Sequence, residues 1–320
     1  MIRRQMGQSG ISIAPLMLGG NVFGWTADQS TSFAILDRFV DAGLDAIDTA
    51  DIYSVWVPGH VGGESETVIG QWLRARGHRD RVVIATKVGS SSISRPGKLH
   101  FTLSAQHIVR SIEQSLTRLQ TDYIDLYQAH GDDPETPLDE TLEAFERLIR
   151  AGKVRAVGTS HICAERLDQA LDLSDTIAVA RLNTMQPRFS LCERGEYEGA
   201  VQDLCVRRSV GALCYSSLAK GFLTGKFRSE KDIAGNVYAD FLKPHLTARG
   251  LGIVRALEDV ANRHASTCAA VAIAWLLAQP GVCAAIAAVD TPGQLDEITG
   301  AVALSLTSDD IGALTQASES

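Results

Sequence analysis

Eight short apolar runs, separated by stretches of helical periodicity, constrain the fold of this chain more than any other feature. Several of them, such as VVIAT and ALCY, are continuously apolar, which is typical of strands buried on both faces. The runs are predicted strands and cover residues 13–18, 44–48, 82–87, 124–130, 154–160, 178–186, 210–215 and 282–289.

Amphipathic helices are predicted between these strands. Apolar residues recur at helical spacing in Ile108, Ile112 and Leu116, and Gly152 follows another such stretch where a left-handed residue ends a helix. A strand followed by a helix, repeated, predicts parallel strands joined by crossovers. An open doubly wound sheet is the competing solution, but eight strands favour a closed barrel because closure leaves no edges. We therefore predict an α/β fold, a (β/α)8 TIM barrel forming one domain over residues 1–320, preceded by an N-terminal hairpin.

Charge and hydropathy exclude two classes of partner. The formal net charge is −8 and no Lys/Arg cluster stands out, so we expect no nucleic-acid partner. The longest apolar run, residues 268–278, is too short to span a bilayer, and the N-terminus lacks the apolar segment of a signal peptide. The six cysteines form no CxxC pair and predict no metal site. We expect a cytoplasmic protein that acts on a small molecule.

Titratable residues occupy the C-terminal ends of successive predicted strands. Asp48, Lys87 and His130 end the second, third and fourth strands, and Tyr53 follows five residues after Asp48. Active sites of TIM barrels lie at this end of the strands. Each residue alone has a structural interpretation, as a cap, a loop aromatic or a satisfied surface group. Asp48 and Lys87 together must pair, however, because an unpaired buried charge is very costly.

The motifs DTADIYS, GGESETVIGQWL, VIATKVG, IDLYQAH, KVRAVGTSH and YSSLAKGFLTGK resemble the aldo-keto reductase superfamily, in order, from about Leu18 to about Leu295. The resemblance implies NAD(P)-dependent interconversion of a carbonyl and an alcohol. It also implies an active-site tetrad at Asp48, Tyr53, Lys87 and His130. Family members that reduce carbon–carbon double bonds have glutamate at the last of these positions, so His130 indicates carbonyl chemistry.

The chemistry of the tetrad gives each member an expected role. The pKa of a free tyrosine, near 10, makes it a poor partner for reversible proton transfer at neutral pH. We expect the Lys87 ammonium to lower the pKa of Tyr53, and Asp48 to hold Lys87 charged and oriented. Tyr53 is then the proton donor, and His130 orients or polarises the substrate oxygen.

Cofactor contacts follow from the same resemblance. It places Ser160, His161 and Gln186 at the nicotinamide carboxamide, although the family usually has asparagine where this chain has His161. Tyr215 matches the aromatic residue that stacks on the nicotinamide, and Ser216, Ser217 and Leu218 match the segment that follows the pyrophosphate. No GxGxxG motif is present, which fits a family that binds its dinucleotide across the barrel mouth.

The predicted adenine end of this site departs from the family. Asp290 stands where an arginine commonly meets the 2′-phosphate, Gln294 lies in the same segment, and Ile298 replaces the asparagine that contacts adenine. The cofactor is therefore NADP(H) or NAD(H), with the family's usual NADP preference weakened by Asp290.

The substrate pocket and two alternative functions complete these expectations. Trp25, Trp56 and Phe189 lie in loops predicted to rim the mouth, and residues 54–63 and 227–249 are candidate lids. A Schiff-base aldolase that uses Lys87 is one alternative. A dinucleotide-binding regulatory subunit of a membrane channel, with little turnover, is the other.

Overall fold

The computed structural model describes residues 2–91 and 100–319. Its strands are β1 (Arg4–Gln5), β2 (Ser12–Ile13), β3 (Leu16–Gly19), β4 (Ala46–Asp48), β5 (Val83–Val88), β6 (Ser90–Ser91), β7 (His100–Phe101), β8 (Ile124–Ala129), β9 (Val154–Ser160), β10 (Leu182–Gln186), β11 (Gly211–Cys214) and β12 (Val282–Ala287). Its α-helices are α1 (Gln29–Asp41), α2 (Glu64–Arg76), α3 (Ala105–Leu119), α4 (Leu138–Arg150), α5 (Ala164–Ile177), α6 (Ala200–Arg208), α7 (Ala239–Leu242), α8 (Ala248–Arg263), α9 (Cys268–Leu277), α10 (Pro292–Thr299) and α11 (Ser308–Glu319).

Eight parallel strands close into a barrel, which confirms the predicted (β/α)8 TIM barrel. The order is β3, β4, β5, β8, β9, β10, β11 and β12, with β12 pairing back onto β3. The register sets Asp48 on β4 beside Ala85 on β5, and Lys87 on β5 beside Gln128 on β8. Polar residues near the strand ends therefore converge on one mouth of the barrel.

Two predicted strands are shorter than expected, for local reasons. The run at 13–18 is divided between β2 and β3, and Pro15, which has no N–H to donate, lies at the break. The run at 178–186 begins its strand only at Leu182, because Ala178 adopts a left-handed conformation (φ 54°) that ends α5. The apolar composition of both runs did not reveal these breaks.

The predicted N-terminal hairpin is confirmed and closes one end of the barrel. β1 and β2 pair antiparallel, and Met6, Ile11 and Ile13 are buried against residues of the barrel interior such as Met17 and Leu126. Those interior residues lie toward the N-terminal ends of the strands. The hairpin therefore closes the end of the barrel opposite the mouth. Burial of apolar side chains is the main stabilising contribution at this closed end.

Helix α9 carries the longest apolar run of the sequence. Nine of its ten residues are buried, so its composition reflects a helix enclosed on all sides. Within the described residues, no helix is both long enough and apolar enough to cross a membrane.

Candidate active site

Backbone strain is concentrated at the mouth of the barrel. The non-glycine residues of positive φ in the described chain are of two kinds. Those that follow helices are Gln120, Ala178, Ser209 and Ala265, where a left-handed residue is common. Those that lie in loops after barrel strands are Ser54, His161, Ser216, Ala219 and Lys220. Conformations of this kind cost about 1–3 kcal/mol each and cluster at functional sites.

Asp48 and Lys87 form a buried ion pair at this mouth. Each side chain is almost fully buried, and Lys87 Nζ donates to Asp48 Oδ2 at 2.6 Å. The same ammonium donates to the Thr49 carbonyl at 2.9 Å and to the Tyr53 hydroxyl at 2.8 Å. Burial lowers the pKa of Lys87, and the carboxylate of Asp48 opposes this shift. All three hydrogens of the ammonium therefore have partners, which fixes its position.

Two glutamines complete the surroundings of Asp48. Gln186 Nε2 donates to Asp48 Oδ1 at 2.9 Å, and Gln128 Nε2 lies 3.4 Å from the same oxygen. We expected Gln186 at the nicotinamide carboxamide, but here its amide nitrogen is directed at Asp48. Gln128 was not predicted, although a glutamine within the buried strand IDLYQA was a signal, because buried polar side chains need partners. The two side-chain amides position the Asp48 carboxylate, and that carboxylate positions Lys87.

The Tyr53 hydroxyl lies between the two charges of the ion pair. It accepts from Lys87 and donates to Asp48 Oδ2 across 3.4 Å. Burial, followed by the charge of Asp48, raises the pKa of Tyr53 well above its usual 10. We expected Lys87 to lower this pKa, and the net direction in this structure is the opposite because burial and the carboxylate outweigh the ammonium. The phenol therefore stays protonated at neutral pH and is able to donate a proton.

His130 lies beside Tyr53, with the two ring centroids 6.0 Å apart and the rings at 71°. Burial, followed by the charge of Lys87, holds the pKa of His130 well below its usual value. The imidazole is therefore neutral at pH 7. Its Nδ1 is buried and has no hydrogen-bond partner among the described residues. A neutral histidine in this position is able to donate one hydrogen bond to a ligand oxygen.

Three aromatic residues pack one against the next beside Tyr53. The Trp56 ring is 6.1 Å from the Tyr53 ring and 5.6 Å from the Trp25 ring, and Trp25 meets Tyr238 edge-on at 5.5 Å. Trp25 and Trp56 thus lie where the sequence predicted them. Tyr238 was not singled out, although it belongs to the 227–249 segment that we identified as a candidate lid.

Phe189 does not lie at the rim, contrary to our expectation. Its side chain is fully buried, and its ring packs against Tyr197 at 4.9 Å and Trp275 at 5.5 Å. The loop after β10 turns its apolar side chain inward because these two large rings form a buried surface there. Its neighbour Arg188 remains on the exposed side, where its Nε donates to the Tyr215 hydroxyl at 3.2 Å.

Residues expected to contact the cofactor lie on or just after strands β9, β10 and β11. Ser160 donates to the Gln186 carbonyl at 2.8 Å, and Ser217 donates to the Ile286 carbonyl at 2.7 Å. The His161 and Tyr215 rings meet edge-on at 5.6 Å. Both serine hydroxyls already serve the barrel, so their contribution to a ligand is to fix the loops that carry His161 and Tyr215.

The turn after β11 contains several residues of positive φ. Ser216, Ala219, Lys220 and Gly221 all have positive φ, and Leu218 packs its side chain against the core beneath them. Two N–H groups of the turn bond within it, from Ala219 to the Ser216 carbonyl at 2.8 Å and from Gly221 to the Leu218 carbonyl at 2.9 Å. The Tyr215 ring at the start of this turn is able to stack on a planar ring such as a nicotinamide.

The segment predicted for the adenine end is held to the Trp25 loop. The Thr26 hydroxyl donates to the Asp290 carboxylate, and the Asp290 N–H donates to Gln294 Oε1 at 2.7 Å. The nearby cation Lys226 is itself paired with Glu297 at 3.2 Å. Asp290 therefore already has a partner from the neighbouring loop, a contact that the sequence did not reveal because residues 26 and 290 are distant along the chain.

A buried phenol, ammonium and carboxylate meet at the mouth of a TIM barrel, where the active sites of barrel enzymes lie. Residues 15–319 match the model of the Aldo/keto reductase family. The chain is 35% identical over 307 residues to "Aldo-keto reductase YhdN" of Bacillus subtilis (strain 168), covering 94% of this chain and 87% of that protein.

Two further relatives broaden the comparison. The chain is 30% identical over 306 residues to "Probable voltage-gated potassium channel subunit beta" of Arabidopsis thaliana, with 93% and 90% of the two chains covered. It is 29% identical over 303 residues to "L-glyceraldehyde 3-phosphate reductase" of Escherichia coli O157:H7, with 92% and 85% covered. The protein belongs to the aldo/keto reductase family, and it is an oxidoreductase of that family.

Proposed function

We propose that this protein interconverts a small aldehyde or ketone and the corresponding alcohol, using NAD(P)(H) as the hydride carrier and Tyr53 as the general acid and base. The observation that carries the proposal is the Tyr53 hydroxyl, which is held 2.8 Å from Lys87 Nζ and 3.4 Å from Asp48 Oδ2. A phenol fixed between an ammonium and a carboxylate is placed to give up and regain one proton. The names of two relatives, an aldo-keto reductase and an L-glyceraldehyde 3-phosphate reductase, support carbonyl chemistry.

The proposed mechanism assigns one task to each member of the tetrad. When bound, the nicotinamide supplies or accepts the hydride at the carbonyl carbon. Tyr53 gives its proton to the carbonyl oxygen, and the Lys87 ammonium at 2.8 Å stabilises the phenolate that remains. Asp48 keeps Lys87 in place, and neutral His130 orients the oxygen by a hydrogen bond. In the oxidative direction the phenolate accepts the alcohol proton.

The residues that we propose to hold the cofactor follow the line of strand ends. Tyr215 stacks on the nicotinamide, and His161 contacts its carboxamide. Ser216, Ser217 and Leu218 would lie along the pyrophosphate, and Ser216 begins their turn in a left-handed conformation. Ser160 fixes the His161 loop, and Gln186 acts through Asp48. Asp290 and Gln294 lie toward the adenosine.

We further propose that NADPH has no strong advantage over NADH. A 2′-phosphate favours arginine, whose fork makes paired, charge-assisted hydrogen bonds, whereas Asp290 carries the opposite charge. Lys226, which might otherwise replace that arginine, is paired with Glu297. We expect comparable kcat/KM values for the two dinucleotides, and Asp290→Arg should raise the NADPH/NADH ratio. A strong NADPH preference that Asp290→Arg leaves unchanged would contradict this proposal.

One observation bears on each of the two alternative functions. A Schiff-base aldolase needs a free amine, whereas the Lys87 ammonium donates to Asp48, Thr49 and Tyr53. A channel-associated regulatory role has the support of the Arabidopsis relative's name. The complete tetrad favours turnover, because a protein that only binds dinucleotide does not require a phenol held between two charges.

The experiment follows absorbance at 340 nm with NADH or NADPH and a panel of aldehydes and ketones. Tyr53→Phe should lower kcat by about 10²–10⁴-fold, because a positioned general acid is removed, and should leave dinucleotide affinity within about twofold. Tyr123→Phe is the matched control, since Tyr123 precedes β8 at the opposite end of the barrel and stacks with Arg79. Equal turnover of Tyr53→Phe and Tyr123→Phe would overturn the proposal.

A further inference from the structure

Arg188 contacts Tyr215 in two ways. Its Nε donates to the Tyr215 hydroxyl at 3.2 Å, and its guanidinium carbon lies 5.9 Å from the centroid of the same ring. This hydrogen bond is the largest cause that raises the pKa of Arg188 above its usual value. The guanidinium therefore holds both the hydroxyl and the ring of the residue that we propose to stack on the nicotinamide.

The backbones of the two residues are also joined. Arg188 and Tyr215 form a parallel bridge beyond the ends of β10 and β11. The Tyr215 N–H donates to the Pro187 carbonyl at 3.0 Å, and the Phe189 N–H donates to the Tyr215 carbonyl at 3.1 Å. Because Phe189 is fully buried, this pair of strands is anchored in the core. Arg188 thus acts on Tyr215 from a rigid support.

Two carboxylates from one short loop hold Arg188 and reach two further residues of the site. Glu193 Oε1 is 3.3 Å from Arg188 Nη1, and Glu193 Oε2 accepts from the Ser216 hydroxyl at 3.1 Å. Glu196 Oε1 accepts from the Arg188 N–H at 3.1 Å and lies 3.8 Å from His161 Nδ1. The loop therefore connects His161 and Tyr215, proposed at the nicotinamide, with Ser216, proposed at the pyrophosphate.

We infer that Arg188 is a positioning residue for the nicotinamide, which it sets through Tyr215. The inference rests on the proposed function, because it presumes that a dinucleotide places its nicotinamide against Tyr215. In this assignment Arg188 acts on the ligand only through Tyr215. Its effect should be confined to the nicotinamide half of the ligand, which a general loss of structure would not produce.

The experiment compares the binding of two ligands by calorimetry. The first is the reduced dinucleotide, and the second is ADP-ribose, which keeps the adenosine and pyrophosphate but lacks nicotinamide. Arg188→Ala should raise the Kd of the dinucleotide about tenfold, because the hydrogen bond and ring contact that fix Tyr215 are lost. The Kd of ADP-ribose should stay within about twofold. Arg207→Ala, which removes an exposed arginine paired with Asp168, should change neither value.

A double-mutant cycle tests whether Arg188 acts through Tyr215. Tyr215→Phe removes only the hydroxyl that Arg188 contacts, so adding Arg188→Ala to it should weaken dinucleotide binding by less than Arg188→Ala does alone. Fully additive effects, or equal losses for ADP-ribose and the dinucleotide, would overturn the inference. Failure of the wild-type protein to bind either dinucleotide would instead overturn the proposed function.

Discussion

Asp48 is the residue on which the geometry of the site depends. Its two carboxylate oxygens meet Lys87 Nζ at 2.6 Å and Gln186 Nε2 at 2.9 Å, with Gln128 and Tyr53 at 3.4 Å. A buried carboxylate is tolerated only with such partners. The result is an ammonium that cannot move away from Tyr53, and a phenol whose proton is retained until a substrate oxygen is close.

The pH dependence of reduction follows from the tetrad's pKa shifts. The pKa of Tyr53 is raised well above 10 and that of His130 is held well below 6.5, so neither residue changes its protonation state between pH 7 and 9. Asp51 does titrate in this range, since burial and the charge of Glu66 raise its pKa to about 8. We therefore expect kcat/KM for reduction by Asp51→Asn to be flat from pH 7 to 9.

The matched measurement uses the wild-type enzyme over the same range. Its profile should differ from that of Asp51→Asn only by an inflection near pH 8, because ionised Asp51 adds a negative charge close to Lys87. A fall of tenfold per pH unit in Asp51→Asn above pH 7.5 would mean that the phenol loses its proton there. That result would contradict the raised pKa of Tyr53.

The placement of these side chains at one mouth of the barrel could be predicted, whereas the contacts around them could not. Asp48, Lys87 and His130 end apolar strands, and that placement is visible along the sequence. The predicted direction of the shift in the Tyr53 pKa was wrong, because the shift depends on how deeply the fold buries the phenol. The orientation of Gln186 and the contact between Arg188 and Tyr215 depend equally on three-dimensional packing.

At the scale of elements, the N-terminal hairpin illustrates how a turn is fitted to the barrel. Gly7 has a φ of 58°, and a Cβ atom there would lie 2.1 Å from the Asn183 carbonyl oxygen. Gly10 has a φ of 74° in the same hairpin, with no atom within 4 Å of the corresponding position. Both glycines have a left-handed backbone, but only a side chain at position 7 would collide with β10.

This difference predicts unequal costs for the same substitution. Both Gly7→Ala and Gly10→Ala place an alanine at positive φ, which costs about 1 kcal/mol. Gly7→Ala also forces the hairpin away from the barrel, and overpacking of this kind costs about 1–3 kcal/mol more. Urea denaturation should therefore give a lower free energy of unfolding for Gly7→Ala than for Gly10→Ala. Equal values would show that the hairpin adjusts without cost.

Element boundaries were predicted less well than element types, for physical reasons. The eight strand runs and their parallel order follow from alternation of strand and helix. The inward turn of Phe189 and the link between Thr26 and Asp290 join segments far apart in sequence, which periodicity does not record. Loop side chains at the mouth are positioned by such contacts.

At the scale of the whole molecule, barrel closure brings the chemistry together. Asp48, Lys87 and Gln186 come from strands β4, β5 and β10. The closed barrel nevertheless brings their side chains together, so that Asp48 accepts hydrogen bonds from both Lys87 and Gln186. The N-terminal hairpin seals the other end, so the barrel presents this site at one mouth. The five strained non-glycine residues in the loops of that mouth are stable only because the packed barrel supports them.

The central claim is that hydride passes between a nicotinamide and a carbonyl carbon while Tyr53 supplies the proton. The most direct measurement incubates the enzyme with a reduced dinucleotide deuterated at one face of nicotinamide C4, together with an aldehyde, and analyses the alcohol by mass spectrometry. The account predicts one deuterium on the carbinol carbon from one of the two labelled faces and none from the other, with the hydroxyl proton drawn from solvent. An alcohol free of deuterium from either labelled form, or no alcohol at all from any carbonyl tested, would contradict it.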